Sequence, residues 1–361
     1  IQMNTCKKSD NIPAGGAEFL NSPGGIQGES AMCSVSNQLT RRGILRGTAA
    51  AAMAAALVPM ATATRPATAQ PAALAGRDLL RDKRPVLHEG GTLFGAYDPY
   101  GDFSEEDGLA TEHLFLPWED VELDGLIIAD DYARERGRKI LITIEPWSWA
   151  LDWNVTEAQL RDLILGGQRD ENMRAILRAV SDFRSPLIIR WAQEMESTTG
   201  RFSWQNWAPA DYIEAYRRMA AITREMLPEA QLMWSPKGEP GLGDFYPDDD
   251  VVDIVGLSLF GLDEYDEIEY GGPRTFAESL RQGYNLTIGY GKPIWVAELG
   301  YEGVESYLAS WADDVTRPYD EFAELREVIY FNDQEVHPWP HGLGLPNWRV
   351  MRDRPIYPVR R

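Results

Sequence analysis

The sequence predicts one (β/α)8 barrel behind a non-globular N-terminus, on three observations. Apolar, strand-like runs alternate with helical stretches throughout residues 91–361, the pattern of parallel strands joined by crossover helices. Eight such runs can be counted, the number that closes a barrel. The residues that end these runs are rich in carboxylates, and the strand ends are where a barrel carries its chemistry. An open doubly wound sheet is the alternative. It would usually show a Gly-rich phosphate turn after the first strand, and "FGAYDPYGD" is not one.

The expected strands are 92–97, 112–117, 139–145, 186–191, 231–235, 251–257, 293–298 and 327–332. The clearest helix is 211–226, where Tyr212, Ala215, Tyr216, Met219, Ile222 and Met226 fall on one face. Stretches 120–136, 156–182, 273–288 and 303–325 also read as helical. No internal repeat or second domain is evident, so 91–361 reads as one domain and 70–90 as a linker.

The first 69 residues read differently. Residues 1–40 resemble a disordered leader. Residues 41–69 hold paired Arg41 and Arg42, a weakly apolar alanine run, and Ala67-Thr68-Ala69 before Gln70. That order resembles a twin-arginine export signal, so the expected location is periplasmic or secreted. The apolar run is too short, and too closely flanked by Arg and Pro, for a membrane span. Cys6 and Cys33 precede the expected cleavage point, leaving a mature chain without thiol or disulfide chemistry.

Composition narrows the partners. A formal charge of −21 argues against nucleic acid, whose phosphates require basic patches. The 12 Trp and 15 Tyr suit either a bulky core or a groove that stacks on sugar rings, whose C–H faces are apolar and whose rims are polar. The expected partner is a polysaccharide bound by a monomer, with no membrane association after signal cleavage. No metal or organic cofactor is expected. "HPWPH" sets His337 and His341 four apart, but its prolines keep a helix from aligning them. Residues 248–250, three aspartates, read as a solvated turn. No G-x-S-x-G elbow supports serine hydrolysis.

Reading the strand ends gives Asp98, Glu145, Glu194, Ser235, Ser258, Glu298 and Asn332. Two carboxylates on different strands among aromatics is the arrangement of glycoside hydrolysis, in which one protonates the leaving oxygen and the other attacks the anomeric carbon. Strand alternation places Arg190, Ala192 and Glu194 on one face. If that face points inward, Arg190 is a buried cation needing an acid, and Glu298 is its natural partner. The same pair would equally serve as a purely structural ion pair. Glu196 is a rival to Glu194. Glu145, before Pro146 and Trp147, is either a third site acid or a loop cap. Trp147, Trp204 and Trp207 are candidate sugar platforms or loop packing, with two of the three expected to touch substrate. Trp191, of opposite parity to Glu194, is expected under the helices. Tyr97 and Asp98 are placed at a distal subsite, and Trp339 over the sugar at the cleavage point.

"IIRWAQEMESTTGRFSW" resembles the acid/base segment of glycoside hydrolase family 26, and "KPIWVAELG" resembles its nucleophile strand. "APADYIEAYRRM", "LMWSPK", "YPDDDVVDIVGLSLFG" and "YFN…NWRV" resemble its other landmarks in order, so the resemblance spans roughly residues 91–350. It implies a clan A barrel, retention of configuration, Glu194 as acid/base and Glu298 as nucleophile. It also implies a β-1,4-mannan, β-glucan or xylan substrate. Two positions depart from the family. Gln193 stands where a histidine usually precedes the acid/base; it still donates and accepts, but does not titrate. Phe260 stands where a tyrosine usually bonds the nucleophile, with Tyr265 and Tyr301 as candidate substitutes. The reading is an exported retaining endo-β-glycanase of mannanase or glucanase type working by double displacement. A non-catalytic polysaccharide-binding barrel, or a hydrolase for the host's own exopolysaccharide, are its alternatives.

Overall fold

A computed structural model describes residues 71–352; the leader and export-signal assignments lie outside them. Eight parallel strands close into a barrel in sequence order: β1 (Leu93–Tyr97), β2 (Leu109–Glu119), β3 (Lys139–Ser148), β4 (Leu187–Trp191), β5 (Gln231–Trp234), β6 (Ile254–Leu262), β7 (Ile294–Glu302) and β8 (Leu325–Phe331). β8 pairs with β1 from Leu93↔Glu327 to Tyr97↔Phe331, closing the ring. The outer layer holds α1 (Leu126–Glu135), α2 (Glu157–Leu165), α3 (Asp170–Ala179), α4 (Pro209–Met226), α5 (Asp263–Tyr270), α6 (Phe276–Thr287) and α7 (Glu305–Asp314).

The helix layer departs from strict alternation, for local reasons. The expected helix 156–182 is two helices, because Gly166 and Gly167 interrupt it and Gly167 takes φ +82°. The first of them starts at a capping box made by Thr156 and Gln159. α6 starts at another, made by Thr275 and Glu278. The α-helix of the stretch 303–325 ends at Asp314, with Pro318 soon after and only a short 3-10 turn at Asp320–Phe322. α5 has a strongly acidic first turn and only one buried residue, Asp266, so no apolar periodicity announces it. No α-helix joins β1 to β2 or β5 to β6.

Side-chain alternation creates two cores. Leu141, Ile188, Met233, Ile254, Trp295, Ala297 and Ile329 form a small cluster from residues of inward parity on β3 to β8. The larger cluster sits between strands and helices. Trp191 belongs to it, 6.2 Å from both the Trp118 and Tyr212 rings. Among the inward-facing groups of the lower barrel, Glu327 on β8 accepts bonds from Thr111 on β2 and Lys139 on β3. Lys139 also sits over the Trp295 ring.

The segment read as a linker is part of the folded unit. Leu74 and Leu79 are fully buried, and Lys83 is driven into the protein. Its Nζ donates to the carbonyls of Tyr301 (2.7 Å) and Asn347 (2.8 Å) and to Glu302 Oε2 (2.8 Å). Burial, then the charge of Arg352, pull the Lys83 pKa well below its ordinary value. Lys83 thus ties the N-terminal segment to the end of β7 and to the chain after β8. Lys83→Met removes one member of a buried charged network and should cost roughly 3 kcal/mol. Urea denaturation should show a lower midpoint, and an unchanged midpoint would refute the tie.

Candidate active site

β4 runs as expected up to Trp191 and then breaks. Ala192 and Glu194 adopt positive φ, +48° and +58°, a region that non-glycine residues enter only when neighbours compel them. Glu194 is therefore not placed by strand alternation; two left-handed residues carry it there. The backbone is held from outside. Tyr212 donates its hydroxyl to the Ala192 carbonyl (3.1 Å), Trp204 its indole N–H to the Gln193 carbonyl (2.6 Å), and Gln205 its amide to the Glu194 carbonyl (3.2 Å). The Glu194 N–H donates to the Ser235 carbonyl at the end of β5 (2.8 Å).

Glu298 reaches the interior by a bulge. Leu257 on β6 faces Val296, but the next residue, Ser258, faces Glu298, so β7 carries one extra residue. The bulge resets the parity: Ala297 belongs to the inner cluster, and Glu298 also points inward. There Arg190, fully buried, donates from Nη1 to Glu298 Oε1 (2.7 Å) and Thr143 Oγ1 (3.1 Å). Its Nε donates to Ser235 Oγ (2.8 Å). Beyond Thr143 lies His113 Nε2 at 2.7 Å. The expected Arg190–Glu298 pair is therefore present.

Burial pushes Glu298 up to about 7. Arg190 opposes the shift, Glu194 adds to it, and Arg201 opposes it again. The influence of Glu194 marks the two acids as neighbours. Among the described residues, the second oxygen of Glu298 and the carboxyl of Glu194 receive no hydrogen bond. Glu194 lines a cavity of about 360 Å³ together with Arg201, Lys237, Phe260, Tyr265 and Trp339. The Trp339 ring packs edge-on against Tyr265 at 5.2 Å.

The remaining sequence candidates sort by environment. Gln193 donates to Glu145 Oε1 (2.9 Å), while Glu145 Oε2 accepts from the indoles of Trp147 (2.9 Å) and Trp149 (2.7 Å). The Gly238 and Glu239 amides both bond Glu196 Oε1 (2.8 and 3.1 Å), and its Oε2 is buried without a partner among the described residues; of the two acids, Glu194 is the one that lines the cavity. Trp204 and Trp207, expected as sugar platforms, are buried. Trp204 is fully buried, stacked on Phe202 at 4.7 Å, and Trp207 is buried with its indole on the Glu157 carbonyl (3.2 Å). Neither offers a ring face to substrate; both pack the loop that bears Glu194. Tyr97 is wedged among Phe115, Phe331 and His113. Asp98 accepts from the Asp102 and Phe103 amides and from Asn332, which caps a loop. Tyr301 is no substitute for the missing tyrosine, because its hydroxyl is bonded to the Lys83 carbonyl.

Two residues escaped sequence reasoning. Arg201, from the segment after β4, pairs with Glu335 after β8 through two contacts of 3.1 Å. β4 and β8 lie on opposite sides of the ring, so nothing local announces this pair. Trp149 is the other; its signal was the Trp-Ser-Trp spacing, which gives both indoles the same direction at the end of an extended strand.

Among the described residues, no group of His, Cys, Asp and Glu has the form of a metal site. No helix among them is long and apolar enough to cross a membrane.

No family model matches the chain. Over 147 residues, 39% of the chain, it is 27% identical to the β-1,3-xylanase TXYA of a Vibrio species, spanning 31% of that protein. It is 26% identical to a β-1,3-xylanase of an Alcaligenes species over 148 residues, spanning 30% of it. The match thus covers about a third of these relatives' length. Among solved structures, the fold resembles the modular endo-β-1,4-mannanase of glycoside hydrolase family 26 from Cellulomonas fimi. The TM-score is 0.53 and the identity 17%, with 70% of this chain and 68% of that one covered. The resemblance to family 26 therefore holds at the level of the barrel.

Two outcomes test this geometry. Trp204→Ala should destabilise by about 3–5 kcal/mol, as a buried indole does when truncated; a loss below about 1 kcal/mol in chemical denaturation would count against its packing role. Glu194→Gln removes a negative charge that raises Glu298, so the Glu298 pKa should fall. Carboxyl-carbon NMR titration reads this directly, and a rise would disprove the pairing.

Proposed function

We propose that this protein is an exported retaining endo-β-glycanase that hydrolyses a β-linked polysaccharide by double displacement. The observation that carries the reading is the Arg190–Glu298 pair beside the unbonded carboxyl of Glu194, at the strand ends of a barrel. A structural ion pair alone does not account for the second acid, held at a strained backbone position facing a cavity.

In this mechanism Arg190 fixes one oxygen of Glu298 and stabilises its negative charge, leaving the other oxygen to attack the anomeric carbon. Glu194 protonates the departing glycosidic oxygen, then deprotonates the water that releases the sugar. The pair must hold one proton in total. Burial raises Glu298, and Arg190 opposes that rise by favouring its ionised form. Gln193 is proposed to meet a sugar hydroxyl or the nucleophile. Its Oε1 is buried with no donor among the described residues, an acceptor that a ligand or a protonated carboxyl satisfies. Trp147, Tyr97 and Glu145 shape the floor of the cleft in this reading, and Trp339 covers the cavity from the β8 side.

The substrate proposed from the sequence is a β-1,4-mannan or β-glucan. The β-1,3-xylanase relatives favour a second one, β-1,3-xylan. Gln193 and Phe260 agree with a shift away from mannan, since they alter the region where the family resemblance implies sugar recognition.

Reducing-end release from mannan, glucomannan, mixed-linkage glucan, β-1,4-xylan and β-1,3-xylan should appear on one of these polymers and vanish in Glu298→Ala. Glu194→Ala should lose turnover of the polymer but retain more on aryl glycosides with good leaving groups, which need no acid. Equal losses on both would remove Glu194 from the acid/base role. Silence on every polymer from a folded protein would favour a binding barrel or a dedicated exopolysaccharide hydrolase.

A further inference from the structure

Glu145 receives three hydrogen bonds: the Gln193 amide on Oε1, and the indole N–H groups of Trp147 and Trp149 on Oε2. The two tryptophans sit at the same strand end but meet different surroundings. Trp147 nests among Trp204 (5.2 Å), Phe202 (5.6 Å) and Trp153 (6.5 Å). Trp149 has no ring partner among the described residues and is 45% exposed.

Its position is nonetheless rigid. The preceding Ser148 donates its hydroxyl to Asp120 Oδ2 (2.6 Å) and accepts the Ala150 N–H (3.0 Å). Backbone and indole are thus both held. With the N–H already bonded, what remains free on Trp149 is a ring face. Leu151, fully exposed beside it, extends the apolar rim.

We propose that Trp149 is a sugar-stacking platform of the cleft, and that Glu145 is its positioning residue. The ligand is a pyranose unit of a β-linked chain, whose apolar C–H face matches a locked, solvent-facing indole. The platform is continuous with the proposed site, because Glu145 also holds Gln193, the residue before Glu194. This rests on the glycanase reading for its substrate class.

Isothermal titration of manno-, mixed-linkage gluco- and β-1,3-xylo-oligosaccharides into Glu298→Ala tests it without turnover. Adding Trp149→Ala should weaken binding about tenfold, the scale of one stacked aromatic. Trp149→Phe, which keeps a ring but loses the bond to Glu145, should fall between. Glu145→Ala should weaken binding too, with partial rescue by Glu145→Asp, and its effect should be less than additive with Trp149→Ala. Unchanged affinity in Trp149→Ala would overturn the platform, as would no binding of any oligosaccharide by the parent. Additive effects would overturn the positioning role. Turnover by the wild type is judged separately: an active enzyme with full affinity in Trp149→Ala defeats this inference alone, and an inactive protein that binds through Trp149 defeats only the catalytic reading.

Discussion

A fully buried guanidinium is costly unless every donor is used, and the barrel is organised around meeting that cost at Arg190. Its donors go to Glu298 on β7, Thr143 on β3 and Ser235 just past β5, and its second terminal nitrogen lies 3.5 Å from Ser258 on β6. Arg190 itself belongs to β4, so one side chain spans five consecutive strand positions. Closure of the barrel brings these partners into reach, and the ion pair keeps the upper interior polar above the apolar cluster of Leu141, Ile188, Met233 and Ile329. The proposed nucleophile is thereby fixed by the same contacts that make the buried cation tolerable.

Around that centre, two backbone irregularities deliver the acids. A bulge turns Glu298 inward, and two left-handed residues swing Glu194 over the cleft. Both are locally unfavourable, and both are held by neighbours. At Glu194 the holding groups are Tyr212, Trp204 and Gln205, three side chains bonded to three successive carbonyls. The aromatic wealth downstream of β4 is spent on this support; the sugar-facing candidates are Trp149 and Trp339. Arg201 and Glu335 add a tie between segments that follow opposite strands, setting charge and shape at the cavity that Glu194 lines.

The legible and illegible parts of the sequence divide by the range of the interactions. β4 was readable because an apolar run ends in charge, and α4 because its apolar positions keep one face. The break of 156–182 into α2 and α3 hinged on adjacent glycines whose effect depends on context. α5 was invisible because it buries almost nothing apolar. The pairing of Arg190 with Glu298 followed from parity and charge. The parity argument nonetheless failed for Glu194, since it holds only while the strand continues. Trp204 and Trp207 looked like platforms because sequence does not distinguish an indole that packs beneath a loop from one that lies on it.

The sequence by itself determined the barrel and the pairing of the buried cation Arg190 with Glu298, because hydrophobic periodicity and the need to pair a buried charge are properties of residue type and spacing. Tertiary structure alone decided which tryptophans face outward, that residues 71–92 belong to the folded unit, and that Arg201 meets Glu335. Each of these depends on which surfaces meet after the ring closes, between positions up to hundreds of residues apart, and no local pattern encodes such a meeting.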